Sequence, residues 1–190
     1  MGIQADACKK VLESGMKKTV LVINGAGGVG KDTLCHFAAR HFAVRNISSI
    51  TPIKKLASQC GWNGEKTDAA RKFLSDLKKA AIEYNDYPLQ WVMNRYRAFM
   101  ASDDLILFVH IREPEEIEKF VRATGGHART LLVQGNHAKA RQAAFGNPSD
   151  DRVEDYPYDY YYENNTPLHE AEPHFVRFIK DILRNEADRP

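Results

Sequence analysis

Apolar positions along the chain follow two alternating rhythms. The first is a set of short continuous runs: Thr19-Val20-Leu21-Val22-Ile23, residues 46–51 ending at Pro52, residues 105–111, residues 130–134, and the tyrosine-rich stretch 158–162. Such runs, bounded by turn formers, predict strands, and the near-continuous 105–111 run predicts one covered on both faces. Between them apolar residues recur at helical spacing, predicting helices over about residues 31–42, 52–60, 67–84, 88–100, 114–124 and 168–185. In the third of these the periodic set is Ala70, Phe73, Leu74, Leu77, Ala81 and Ile82, with Thr67 or Asp68 placed as the cap. The cluster Gly61-Trp62-Asn63-Gly64 separates it from the helix before. Strands alternating with helices predict an α/β chain, a parallel sheet of about five strands with helices on both faces.

The first strand runs directly into Gly25-Ala26-Gly27-Gly28-Val29-Gly30-Lys31-Asp32-Thr33. Gly25, Gly30 and Lys31 meet the spacing G-x-x-x-x-G-K, which predicts a phosphate-binding loop and a P-loop NTPase fold. Glycines without Cβ let the backbone curl so that successive N–H groups face an anion, and the helix starting near Lys31 adds the positive end of its dipole. The Lys31 ammonium then reaches the β- and γ-phosphates, so the nine loop residues form the candidate ATP site. A glycine turn of purely structural use is the alternative, but strand, loop and helix fall where phosphate binding requires them. Asp32 stands where a Ser or Thr usually ligates Mg2+, and Thr33 follows one place later. Either residue is a candidate metal ligand, since a hard cation prefers oxygen, although a carboxylate is also favoured at any helix N-terminus.

Length and charge narrow the class. The chain has 190 residues, enough for one domain of this kind, with residues 16–190 as the domain and residues 1–15 as an N-terminal extension. Met16-Lys17-Lys18 just ahead of the strand suggests that residues 1–15 are an upstream extension or that the start is placed too early; a short helix packed on the sheet edge is the alternative. With 27 basic and 25 acidic residues the net charge is +2, which gives no field pointing to nucleic acid or membrane and suits a small anionic substrate. Cys8, Cys35 and Cys60 are odd in number without C-x-x-C spacing, as expected of buried thiols in a reducing cytoplasm. The longest apolar runs fall far short of the roughly 20 residues of a membrane-spanning helix.

Gly-Lys-Asp-Thr is the form of the loop in phage-type and bacterial deoxynucleoside monophosphate kinases, and further segments carry the resemblance. Thr51-Pro52-Ile53-Lys54-Lys55-Leu56-Ala57 resembles the family's segment after the second strand, beside the monophosphate site. Arg71-Lys72-Phe73-Leu74-Ser75-Asp76-Leu77 and Trp91-Val92 resemble its arginine-led helix and the aromatic-valine pair. Ile111-Arg112-Glu113 with Glu116 is similar to its Thr-Arg-x-x-x-Glu-type motif, and Tyr160-Tyr161-Tyr162-Glu163-Asn164 to its final strand.

This resemblance implies a kinase moving the γ-phosphoryl of ATP to a nucleoside monophosphate, with Mg2+ as cofactor and ATP as co-substrate. Lys31, Arg112 and Arg141 are then the catalytic candidates, and Lys54, Arg71, Trp91 and Arg112 the acceptor-binding ones, on a helical segment of about 52–101 and the following strand end. Such transfer needs chiefly positioning, Mg2+ and cations around the moving group, and arginine grips phosphate bidentately. Residues 135–155, with His137, Lys139, Arg141 and Arg152, fall where these kinases carry a lid; a solvated loop is the alternative. One position departs from the family: His110 occupies the place of an Asp at the third strand's end, with Glu113 as a candidate substitute. His110 reads either as a neutral partner near the phosphates or as a satisfied core histidine. A kinase for another phosphorylated acceptor, of the dephospho-coenzyme A or phosphomevalonate type, and a nucleotide-binding regulatory module are the competing readings. A homodimer is left open.

Overall fold

The computed structural model describes residues 16–135 and 153–188. In chain order these form β1 (Thr19–Asn24), α1 (Lys31–His41), β2 (Val44–Ser48), α2 (Thr51–Gln59), α3 (Asp68–Asn85), α4 (Tyr87–Met100), β3 (Ile106–His110), α5 (Pro114–Ala123), β4 (Ala128–Gln134), β5 (Tyr160–Glu163) and α6 (Leu168–Ala187). The strands make one five-stranded sheet in the order β2-β3-β1-β4-β5, and every neighbouring pair is parallel. This is the α/β architecture that the alternating rhythms predict.

Strand β1 lies at the centre with all of its residues buried, because both its faces are covered. Alternate side chains enter different cores. Leu21 and Ile23 pack with Leu34, Phe37 and Ala38 of α1 and with Phe175, Ile179 and Leu183 of α6. Val20 and Val22 pack on the other face with Val92 and Phe99 of α4 and Ile117 and Phe120 of α5. In register, Ile23 stands opposite His110 of β3 and Asn24 opposite Leu132 of β4, so the carboxyl ends of the central strands finish side by side. A parallel sheet collects its ligands at that edge.

Local chemistry sets the element ends. Thr67 caps α3, its hydroxyl accepting from the Ala70 N–H at 3.2 Å, one of the two predicted caps. The Lys18 ammonium donates to the carbonyls of Phe99 (3.2 Å), Asp104 (2.9 Å) and Ser102, tying the end of α4 to the start of β1. Three strands differ by more than one residue from the sequence expectation, β4 by starting at Ala128 rather than at residue 130. β2 starts earlier and ends at Ser48, because α2 already opens at Thr51 with Pro52 in its first turn. β5 starts at Tyr160 rather than residue 158, because the Asp159 carboxylate accepts from both the N–H and the hydroxyl of Thr130 at 2.9 Å and so replaces a ladder bond there. Helix α3 is the least covered, with Ala70 its one buried residue. Among the described residues no helix is long and apolar enough to cross a membrane.

Phe175 is fully buried and sets its ring 5.0 Å from that of Tyr162, joining α6 to β5. Phe175→Ala should lower unfolding free energy by about 3–5 kcal/mol, read from urea denaturation, since the cavity closes only in part.

Candidate functional site

The glycine loop leaves the buried end of β1 and must turn at once. Gly25 has φ 145°, and a Cβ on it would stand 2.3 Å from the Val133 carbonyl oxygen of β4. Gly30 has φ 94°, and a Cβ there would meet the Asn164 side-chain nitrogen at 2.7 Å. Backbone conformation and contact alike therefore require glycine at both positions. Val29 between them is buried in the core under α1, which anchors the loop's middle. Asn164, just past β5, donates to the Val29 carbonyl at 2.9 Å and holds the loop from the far side.

Helix α1 starts at Lys31 with Gly30 as its cap residue, and no side chain caps it. The first turn of an α-helix lacks intrahelical acceptors for its N–H groups, and such an end favours an anion. The Lys31 ammonium folds back over the loop and donates to the carbonyls of Gly25 (2.5 Å) and Ala26 (3.0 Å). Asp32 and Thr33 are exposed in the same first turn, with Asp32 adding negative charge there. Ala26, Gly27 and Gly28 complete the loop's rim, Gly28 with φ 80°.

Beside the loop stands the end of β3. His110 Nε2 lies 2.7 Å from Asn46 Oδ1 on β2, and 3.9 Å from the Cys35 sulfur of α1. Burial pushes its imidazole pKa down to about 4; Asp32 pulls it upward, while Lys31 and Arg112 push it further down. Lys31, Asp32, His110 and Arg112 thus share one electrostatic neighbourhood, and the ring there is neutral with Nε2–H donating to Asn46. Cys35 is buried with its thiol pushed up to about 12 by burial and then by Asp32, so it stays protonated and unreactive. Among the described residues no group of three or more His, Cys, Asp or Glu side chains could hold a metal ion.

Glu113, the residue the resemblance offers as a substitute acid, is engaged in an ion pair. Its carboxylate pairs with Lys78 of α3 at 2.7 Å, and the same ammonium reaches Glu116 of α5 at 2.6 Å. Burial raises the Glu116 pKa and Lys78 opposes the rise. The other acceptor candidates spread over the helical segment. Lys54 is exposed on α2; Arg71 on α3 is exposed and pairs with Asp68 at 3.3 Å. Trp91 of α4 packs half-buried on the second core, with the Arg95 guanidinium 5.1 Å from its ring centroid. Arg112 lies two residues past the end of β3, and its carbonyl accepts from the Asn24 side chain of β1 at 2.9 Å. Arg141, with His137, Lys139 and Arg152, lies outside the described residues.

The chain matches no protein-family model and no curated protein sequence. Solved structures do match. Dephospho-CoA kinase from Campylobacter jejuni aligns over 89% of this chain and 99% of its own with a TM-score of 0.59 at 13% identity. The Deinococcus radiodurans tunicamycin resistance protein aligns over 86% and 96% (TM-score 0.55, 13% identity), and a gluconokinase from Sinorhizobium meliloti over 90% and 95% (TM-score 0.51, 14% identity). With the sheet order and the glycine loop, these likenesses define the P-loop α/β fold of this chain.

Two residues with structural roles at the site went unweighted in the sequence. Asn24 is an amide ending an otherwise apolar strand immediately before the loop, and that placement was its signal. Lys78 gave none, because its partner Glu113 is 35 residues away.

Gly25→Ala should abolish nucleotide binding in a direct titration and lower stability by at least about 1–3 kcal/mol through backbone strain alone. The histidine gives a pH test. Between pH 6.5 and about 4 the unfolded chain binds a proton at His110 that the folded chain does not. Stability is therefore full above that window and falls as pH drops through it, by on the order of 3 kcal/mol. His110→Asn should flatten that part of the stability-against-pH curve.

Proposed function

We propose that the protein is an ATP-dependent phosphotransferase that moves the γ-phosphoryl group of ATP to the phosphate of a nucleoside or deoxynucleoside monophosphate. The observation that carries this reading is the strand-loop-helix cradle with Lys31 folded over it, set beside the β3 end that bears Arg112. The loop N–H groups and Lys31 hold the donor phosphates, and Arg112 grips the acceptor phosphate at the same sheet edge. The bond from the γ-phosphorus to its bridging oxygen breaks as an acceptor phosphate oxygen attacks. Positioned cations offset the charge on the equatorial oxygens.

Mg2+ fits the donor set present. The Asp32 carboxylate and Thr33 hydroxyl are hard oxygen ligands, exposed at the mouth of the loop, and an ion carried in with ATP needs only one or two ligands from the protein. When bound it supplies charge neutralisation on the phosphate oxygens. Neutral His110 brings no charge to the acid's usual place, which leaves Asp32 as the acidic group among the four that share this neighbourhood.

A second reading keeps the reaction and changes the acceptor. The likeness to a dephospho-CoA kinase and a gluconokinase supports phosphoryl transfer to some other small molecule about as well, since the loop and Arg112 do not select a base.

ADP release from MgATP across a panel of ribo- and deoxynucleoside monophosphates and dephospho-coenzyme A tests both readings. Turnover with a monophosphate, reduced at least about a hundredfold by Lys31→Ala, is the expected result. Turnover with dephospho-coenzyme A alone favours the second reading, and silence throughout contradicts both. Arg112→Lys should raise the acceptor KM while leaving the ATP KM near its original value, because a lysine loses the bidentate grip.

A further inference from the structure

The side chain of Asn24 is 1% exposed and makes three hydrogen bonds, each to a different part of the site. Its Oδ1 accepts from the N–H of Gly25, the first loop glycine, at 2.8 Å. Its Nδ2 donates to the Arg112 carbonyl at 2.9 Å and to the Tyr158 hydroxyl at 2.8 Å. The amide has one workable orientation, because a backbone N–H can only donate and a carbonyl can only accept. Tyr158, having accepted from Asn24, gives its own proton to the Val153 carbonyl at 2.8 Å. Burial pushes the phenol up to about 12, so that proton is retained across the physiological range.

The register shows why this bond set matters. β1 and β3 are paired as far as Ile23 and His110, and Arg112 lies beyond the end of β3. Its carbonyl lies past the paired residues, and Asn24 ties it to β1. The same amide fixes the N–H of Gly25, whose position is already confined by the Val133 carbonyl. One planar group a few ångströms across therefore bridges the start of the ATP loop and the backbone of the acceptor arginine.

We propose that Asn24, backed by Tyr158, is a positioning residue that sets the distance between the ATP loop and Arg112, and hence between donor and acceptor phosphates. This rests on the phosphotransferase reading. No other side chain supplies the set on so short a stem: aspartate has the shape without the donors, serine has one donor, leucine has the bulk alone, and glutamine carries the amide one methylene further out. The rate of an in-line transfer is steep in that distance, since a misplacement of about 1 Å costs roughly a hundredfold.

The test compares wild type, Lys31→Ala, Asn24→Asp, Tyr158→Phe and the Asn24→Asp/Tyr158→Phe double variant. For each, kcat and both KM values are measured with MgATP and the acceptor found active in the panel, with direct ATP titration to count competent sites and a thermal melt. The expected result is that Asn24→Asp lowers kcat per ATP-binding site about 10- to 100-fold, with the ATP KM within about threefold of wild type. Tyr158→Phe should lower kcat less, and the double variant should lose little beyond Asn24→Asp alone, as members of one network do. A lowered melting temperature with kcat per competent site unchanged would show a purely structural role and overturn the inference. Should Asn24→Asp fail to fold, Tyr158→Phe decides, since it removes one oxygen; unchanged kcat there overturns the inference as well. Wild type without Lys31-dependent turnover sinks the phosphotransferase reading, and the inference with it; wild-type turnover with insensitive variants sinks the inference alone.

Discussion

Everything at the site depends on how closely Gly25 approaches the Val133 carbonyl. β1 is hemmed in by β3 and β4, and a Cβ on the first residue of its loop would stand 2.3 Å from the neighbouring strand's carbonyl oxygen. Only a glycine hydrogen fits. The same close packing recurs at Gly30 under Asn164, so the loop is clasped between the sheet's central strands and the residue after its edge strand. A glycine loop curled in this way, running into the start of α1 beside the Lys31 ammonium, has the form that suits an anion. The form of the loop is thus a product of sheet packing, and side-chain chemistry is added to it.

Side-chain chemistry enters from the strand next door. Because parallel strands end together, the residues after β3 stand beside the loop after β1, and Arg112 joins Lys31 and Asp32 in shaping the field at His110. The carboxylates nearby are directed elsewhere. Lys78 draws Glu113 and Glu116 together and so links α3 to α5. That ion triad is half to mostly buried, where removing its lysine would leave two carboxylates facing each other. Helix α3 is accordingly tied to α5 by charge, at Lys78 and again where Asp86 at its end meets Lys119 at 2.6 Å, while it stays largely uncovered along the rest of its length.

Much of this was legible in the sequence, for reasons that differ from element to element. Strands covered on both faces read as continuous apolar runs, and the glycine loop carries its own spacing, so sheet, helices and phosphate cradle all announced themselves locally. The ends of β2 and β5 did not. Pro52 fits the first turn of a helix as well as it ends a strand, and the Asp159–Thr130 bond that delays β5 joins residues 29 apart. Long-range partnerships account for the rest. Asn24 meets Arg112 across 88 positions and Tyr158 across 134, and Asn164 meets Val29 across 135. A polar residue can look out of place in an apolar run, but its partner is named only by the fold.

Phosphotransfer at this sheet edge requires the loop and Lys31 to bind nucleotide phosphates. Calorimetric titration of MgATP into wild type and Lys31→Ala tests this most directly, without reference to any acceptor. Saturable binding at one site per chain, weakened at least about tenfold in Lys31→Ala, is what the geometry predicts. Binding of equal strength in the two proteins, or none in the wild type, would contradict it.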